Sequence, residues 1–102
     1  MCGIAGRLNF KTGAPVDPSV VHAMCELIAH RGPDGQGVWT QGPVGLGHRR
    51  LAIIDLTPAG RQPMASPSGD VWVTFNGEIY NFLELRRELE GRGHQFRSRS
   101  DT

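Results

Sequence analysis

The chain has almost no excess of charge: 11 lysines and arginines against 10 aspartates and glutamates leave a formal net charge of +1. Binding to nucleic acid or to an anionic membrane surface draws on an excess of cations, and a balanced chain offers none. The arginines at Arg49–Arg50 and between Arg86 and Arg99 are interleaved with acids, so no basic stripe forms and no nucleic-acid partner is expected. Long apolar runs are missing as well. The longest, Leu51–Ile54, is about four residues, where a membrane-spanning helix needs about twenty. No basic stretch leads into an apolar core at the start, so the opening does not read as a secretory signal. Cysteine is scarce. The two present, Cys2 and Cys25, lie far apart outside any C-x-x-C pattern, which argues against a disulfide scaffold and makes a reducing cytoplasm the expected location. The four histidines, His22, His30, His48 and His94, show no ligand spacing with cysteine or acid, so no metal site is expected.

What the chain does have is glycine and proline, 14 and 7 in 102 residues, which imply many tight turns. With 38% hydrophobic and 21% charged residues, residues 1–102 suit one small globular unit. From Cys2 to Phe10 the pattern alternates, with Ile4, Leu8 and Phe10 on one face and Ala5, Arg7 and Asn9 on the other, which predicts a strand. Asp17 as N-cap and Pro18 at the first helical position open an amphipathic helix to about Ala29, with Val20, Met24, Leu27 and Ile28 at helical spacing. Val38–Leu56 reads as two or three glycine-interrupted strands, residues 57–70 as a loop, and "VWVTF" as a strand with Val71, Val73 and Phe75 facing one way. Asn81 and Glu84 fit a capping box before a second helix, with Phe82, Leu85 and Leu89 as its buried stripe and an end near Gly91 or Gly93. "HQFRS" predicts one more short strand. Strands and helices in this order imply a mixed, layered domain.

Cys2 is the first candidate for chemistry. An ordinary thiol titrates near 8.5 and an α-amino group near 7.7–8.0, so passing the thiol proton to an amine on the same residue costs only about 1 kcal/mol. If Met1 is removed, Cys2 becomes a nucleophile carrying its own general base. Position alone leaves a second reading open, a small buried hydrophobe in the first strand. Asn76-Gly77 divides the same way: a hairpin turn, or a side-chain amide beside an unencumbered N–H that together form an oxyanion hole. Arg50, in "GHRRLAIID", is either a solvated basic residue on an edge strand or a guanidinium fork for a substrate carboxylate. Asp101 is either a loop aspartate or a partner for a substrate ammonium. Cys25 reads as a half-buried, inert thiol, and Trp39, Trp72 and Tyr80 as packing residues.

Taken together, "MCGIAG", "HRGPDGQGVW", "GLGHRRLAIIDL", "QPM" and "VTFNGEIYNFLELRRELEGRGHQFRSRSDT" resemble the class II, N-terminal-nucleophile glutamine amidotransferases, and within them the glutaminase domain of the glutamine-hydrolysing asparagine synthetases. The phosphoribosyl and glucosamine-phosphate amidotransferases differ after "RG" and after "GH". The resemblance implies an α+β fold, the four-layer α/β/β/α sandwich of N-terminal-nucleophile hydrolases. It implies glutamine hydrolysis by Cys2, with Asn76 and Gly77 as the oxyanion hole. For L-glutamine it further implies Arg50 on the α-carboxylate, Asp101 on the α-ammonium, backbone contacts from Leu51, Ile53 and Ile54, and Glu78 as the wall beside the oxyanion hole.

In this family the glutaminase domain runs beyond residue 102 and is followed in cis by a synthetase domain that uses ATP and magnesium. Residues 1–102 are therefore expected to be the N-terminal part of that domain, with its sandwich incomplete at the C-terminal end and no cofactor of its own, from a full-length protein that forms a homodimer. Two alternatives stay open. One is a related amidotransferase with the same front end acting on a cell-surface sugar or peptide precursor, and the other a non-catalytic remnant.

Overall fold

The alternation near the N-terminus forms a strand shorter than expected, β1 (Gly3–Leu8), in a computed structural model that describes residues 1–102. The glycine-broken stretch yields two strands, β2 (Gly35–Gln41) and β3 (Val44–Arg50). The three form an antiparallel sheet in the order β1-β3-β2, with Ala5 opposite Gly47 and Val38 opposite that same glycine. β3 is thus central, which overturns the edge-strand reading of Arg50.

Because side chains alternate along a strand, the register sorts the sheet into two faces. Gly3, Ala5, Gly45 and Gly47 point to one side, and this nearly bare face is covered by helix α1 (Pro18–Leu27). The helix comes so close that a Cβ on Gly47 would stand 2.5 Å from Cys25 Sγ and 2.9 Å from Val21 Cγ1. Val21 and Cys25 have no solvent exposure and Val16 has 5%; together they are the buried apolar core. Complete burial of a valine side chain is worth about 1.5–3 kcal/mol. Cys25 is fully buried rather than half-buried, and desolvation raises its thiol pKa. The helix starts as expected, with the Asp17 carboxylate accepting from the Ser19 N–H at 2.9 Å, a contact that lowers the Asp17 pKa. It ends two residues early, at Leu27, and the chain continues as a 3-10 turn over Ala29–Arg31.

The opposite face carries His48 and Arg50, and here a second sheet lies over the first. It consists of β4 (Met64–Ala65), within the stretch expected to be loop, and β5 (Trp72–Val73), all that forms of the "VWVTF" strand. Trp39 of β2 stacks on Trp72 with ring centroids 4.6 Å apart and an 18° interplanar angle, a contact worth about 0.5–1.5 kcal/mol beyond its area. Beyond Val73 the chain leaves the ladder and bonds to β3 through isolated contacts, the Thr74 hydroxyl to the Gly47 carbonyl at 3.2 Å among them.

The second helix, α2 (Phe82–Gly91), differs from expectation at its start and along its face. Asn81 is at the N-cap but with φ −96° and ψ 27°, outside the extended region in which a capping side chain reaches forward, and it makes no cap bond. Leu85 and Leu89 remain 39% and 36% exposed, so the apolar stripe is only half covered. "HQFRS" does not form a strand. Its backbone is held instead by side chains, with Arg86 stacked over the Phe96 ring at 5.1 Å and donating to the Ser98 carbonyl at 2.7 Å, while Arg97 donates to the Ala65 carbonyl at 2.6 Å. Tyr80 is 91% exposed and packs against nothing. No helix is long and apolar enough to cross a membrane.

Candidate active site

A pocket of about 290 Å³ opens where the end of β3, the loop after it, the Phe75–Glu78 segment and residues 100–102 converge. Its wall includes Cys2, Arg50, Leu51, Ile53, Ile54, Gly77, Glu78 and Asp101. Eight positions singled out from the sequence, spread over one hundred residues, therefore share one cavity. Asn76 does not line it; its neighbours Phe75 and Gly77 do.

Cys2 precedes β1 and continues the face that carries Ile4 and His48. Its Sγ accepts the Leu51 N–H at 3.3 Å and lies 3.6 Å from the Leu51 carbonyl, and its own carbonyl accepts the Arg31 Nε–H at 3.1 Å. Two loops thus hold the residue, one by sulfur and one by backbone. Met1 is 72% exposed, so the residue ahead of the cysteine is not packed into the fold.

Arg50 reaches over the loop beyond its strand. Its Nη1 donates to the Thr57 carbonyl at 2.8 Å and its Nη2 to the Asp55 carbonyl. A guanidinium has five N–H donors, so most of the fork remains available to an anion in the pocket. Gly60 makes room for it, since a Cβ there would collide with the guanidinium.

That loop is organised by Asp55, a residue without an expected role. Its buried carboxylate accepts the Thr57 N–H at 2.8 Å, the Thr57 hydroxyl at 2.6 Å and the Arg99 N–H at 2.8 Å. These bonds, the Thr57 hydroxyl foremost, hold its pKa at about 2. The Arg99 contact spans forty-four residues and brings Asp101 to the pocket. Asp101 in turn accepts the Ile79 N–H at 2.8 Å through Oδ2. No other residue takes the donors of Asn76 and Gly77. No strand returns after them, so the pair is not a hairpin turn.

Two further lining residues were not foreseen. Gln62 is buried, accepts the Phe75 N–H at 2.6 Å and donates to the Thr102 hydroxyl at 3.1 Å. His48 is 1% exposed and its Nε2 meets the Phe75 carbonyl at 3.1 Å. Burial, reinforced by the nearby Arg50 charge, lowers its pKa, and the bond to Phe75 opposes that shift only in part. Its position in "GHRR" on an alternating strand is the signal the sequence offers. No three histidine, cysteine or acidic side chains converge anywhere to hold a metal ion.

Comparison with known proteins adds an independent line. A family model described as a glutamine amidotransferase domain matches residues 1–102. Among curated proteins, asparagine synthetase [glutamine-hydrolyzing] 3 of Bacillus subtilis is 44% identical over 104 residues, which cover 100% of this chain and 17% of that protein. Asparagine synthetase [glutamine-hydrolyzing] 1 of the same organism is 43% identical, over 100% of this chain and 16% of its own. The Arabidopsis thaliana asparagine synthetase [glutamine-hydrolyzing] 1 is 40% identical, over 99% and 17%. The chain spans about a sixth of the length of these relatives.

Proposed function

The chain belongs to the glutamine amidotransferase domain family, and from that premise we propose that it carries the site at which Cys2 hydrolyses L-glutamine to glutamate and ammonia. The observation that carries this reading is the presence of Cys2 in the wall of the same pocket as Arg50, Gly77, Glu78 and Asp101. A free amino acid presents a carboxylate, an ammonium and a side chain, and this wall offers a cation, two carboxylates and a nucleophile.

In the proposed reaction Met1 is first removed, which turns the Cys2 nitrogen from an amide into an amine. The amine takes the thiol proton, and the Leu51 N–H stabilises the sulfur as its charge grows. Sulfur attacks the side-chain amide carbon of glutamine. The carbonyl oxygen becomes an oxyanion held by the Asn76 side-chain N–H and the Gly77 backbone N–H, each such donor worth about 2.7–4 kcal/mol of barrier. Collapse breaks the C–N bond, and the proton held by the Cys2 amine passes to the departing nitrogen, which leaves as ammonia. Water then attacks the thioester, the amine takes its proton and returns it to sulfur, and glutamate is released. Arg50 takes the α-carboxylate, Asp101 the α-ammonium through its less engaged oxygen, and Glu78 closes the wall beside the oxyanion.

The names of the relatives support a synthetase domain in cis as the consumer of this ammonia, forming asparagine from aspartate. ATP and magnesium are assigned in this reading to that domain. A reducing cytoplasm suits a mechanism that needs a free thiol. The helix on one sheet face and the second sheet on the other support the α/β/β part of a four-layer sandwich.

A reactive glutamine analogue tests the reading directly. Intact mass of the full-length protein should show loss of Met1, and peptide mapping should place the adduct on Cys2, with protection by glutamine. Turnover by a protein that still carries Met1 would sink the proposal.

A further inference from the structure

We propose that His48 is a positioning residue of the glutaminase centre: its Nε2–H holds the Phe75 carbonyl and thereby aims the Asn76 and Gly77 donors over the face that carries Cys2. The inference rests on the reading of Cys2 as nucleophile given above.

His48 sits opposite Ile4 on the central strand, on the face that Cys2 continues. A carbonyl only accepts, so the 3.1 Å contact to the Phe75 oxygen places the ring hydrogen on Nε2. Nδ1 is then bare, and it is buried without a partner. An apolar side chain of similar volume would fill this space without leaving an acceptor unsatisfied, so the bond at Nε2 is what the imidazole provides. Burial and the Arg50 charge both act against a second ring proton, which keeps the ring in the form that donates from Nε2.

The Phe75 peptide is gripped from both sides. Its carbonyl is held by His48, and its N–H by the buried Gln62 Oε1 at 2.6 Å. One residue earlier, the Thr74 hydroxyl is tied to the Gly47 carbonyl at 3.2 Å. Immediately after these ties come Asn76 and Gly77, whose donors bond to no other residue. Their aim is therefore set by Phe75 on the near side and by Ile79, whose N–H is held by Asp101, on the far side. A displacement of about 1 Å in a catalytic group can cost about 100-fold in rate, so the last fixed point before the oxyanion donors governs turnover.

The test uses three variants of the full-length protein. His48→Gln keeps an N–H near the reach of Nε2, His48→Asn is too short for it, and His48→Leu removes it. The Gln variant should keep kcat for glutamine hydrolysis within about threefold of wild type, while Asn and Leu lose about 10- to 100-fold with little change in KM. Inhibition by a glutamine-derived aldehyde, which places an oxyanion on the Cys2 adduct, should weaken in parallel, while alkylation of Cys2 by iodoacetamide and binding of glutamate stay unchanged. Wild-type kcat in the Asn or Leu variant overturns the proposal, as does a Gln variant no better than Leu. If the Leu variant fails to fold, the Asn and Gln pair decides. A wild-type protein that hydrolyses no glutamine, or a Cys2→Ala variant that still does, would sink the glutaminase reading itself; indifferent His48 variants of an active enzyme sink only this inference.

Discussion

The Leu51 backbone N–H points at Cys2 Sγ from 3.3 Å, across forty-nine residues of chain. Only proline would remove that main-chain donor, and it would disturb the backbone just beyond β3, so the sulfur's environment depends on where β3 ends. Replacing the sulfur is the available probe. Cys2→Ala in the full-length protein should abolish glutamine-dependent amidation, by at least about a thousandfold as for other nucleophile deletions, while synthesis from added ammonia continues. Parallel assays with glutamine and with an ammonium salt check this, and glutamine use that persists in the variant rules out the role given to Cys2.

Asn76 is expected to act only once charge develops on the glutamine oxygen. Asn76→Ala should lower kcat by about 10²–10³ with a smaller effect on KM, and Asn76→Asp should be at least as damaging because a carboxylate repels the oxyanion. Steady-state kinetics of glutamate release measure both. A change confined to KM would move Asn76 from the oxyanion to ground-state binding.

Arg50 combines two tasks, bridging the Asp55 and Thr57 carbonyls and facing the pocket. Lysine cannot reproduce the fork, so Arg50→Lys should raise KM for glutamine by about 10- to 100-fold, the equivalent of one or two charge-assisted hydrogen bonds. Gly60→Ala, which drives a methyl into the guanidinium, should shift KM in the same direction. An unchanged KM in both variants would remove Arg50 from the substrate site.

Asp55 links stability to pH. Its folded pKa of about 2 lies below the ordinary 3.8, so the carboxylate form is favoured by folding. The resulting stabilisation is fully present above about pH 4 and is lost as pH falls through about 2. Thermal unfolding followed across that window should show a steep acid limb in the wild type. In Asp55→Asn the midpoint should be lower at neutral pH and the limb flatter. Superimposable curves would mean that the three bonds to Asp55 contribute nothing net.

Gly47 marks the closest approach of α1 to the sheet. Gly47→Ala should destabilise by about 1–3 kcal/mol through overpacking against Cys25 and Val21. Adding Cys25→Ala should relieve part of that cost, giving a favourable coupling in a double-mutant cycle. Chemical denaturation measures it, and strict additivity would show that the helix shifts freely.

The second helix, the second sheet and residues 94–98 show where local pattern loses to tertiary context. Asn81 and Glu84 have the right spacing for a capping box, but the chain enters α2 at an angle that leaves the side chain unused. Residues 94–98 have Phe96 as their one strong strand former, and they form no ladder: the Ser98 carbonyl bonds to Arg86, and Arg97 reaches Ala65 of β4 by its side chain alone. Strand propensity has no effect without a partner backbone. Conversely, Met64–Ala65 has a weak local signal and still pairs with β5, because Trp39 fixes Trp72 nearby.

The order of residues alone determined the N-terminal strand, the capped first helix, and a set of reactive side chains at Cys2, Arg50, Asn76, Gly77 and Asp101, since alternation, capping and nucleophile chemistry are properties of near neighbours. Only the tertiary structure decided that β3 is central, that Asp55 and Gln62 carry the scaffold of the pocket, and that His48 grips Phe75. These are contacts between segments tens of residues apart, made by buried polar groups whose partners are chosen by the closing of the fold and leave no periodic trace along the chain.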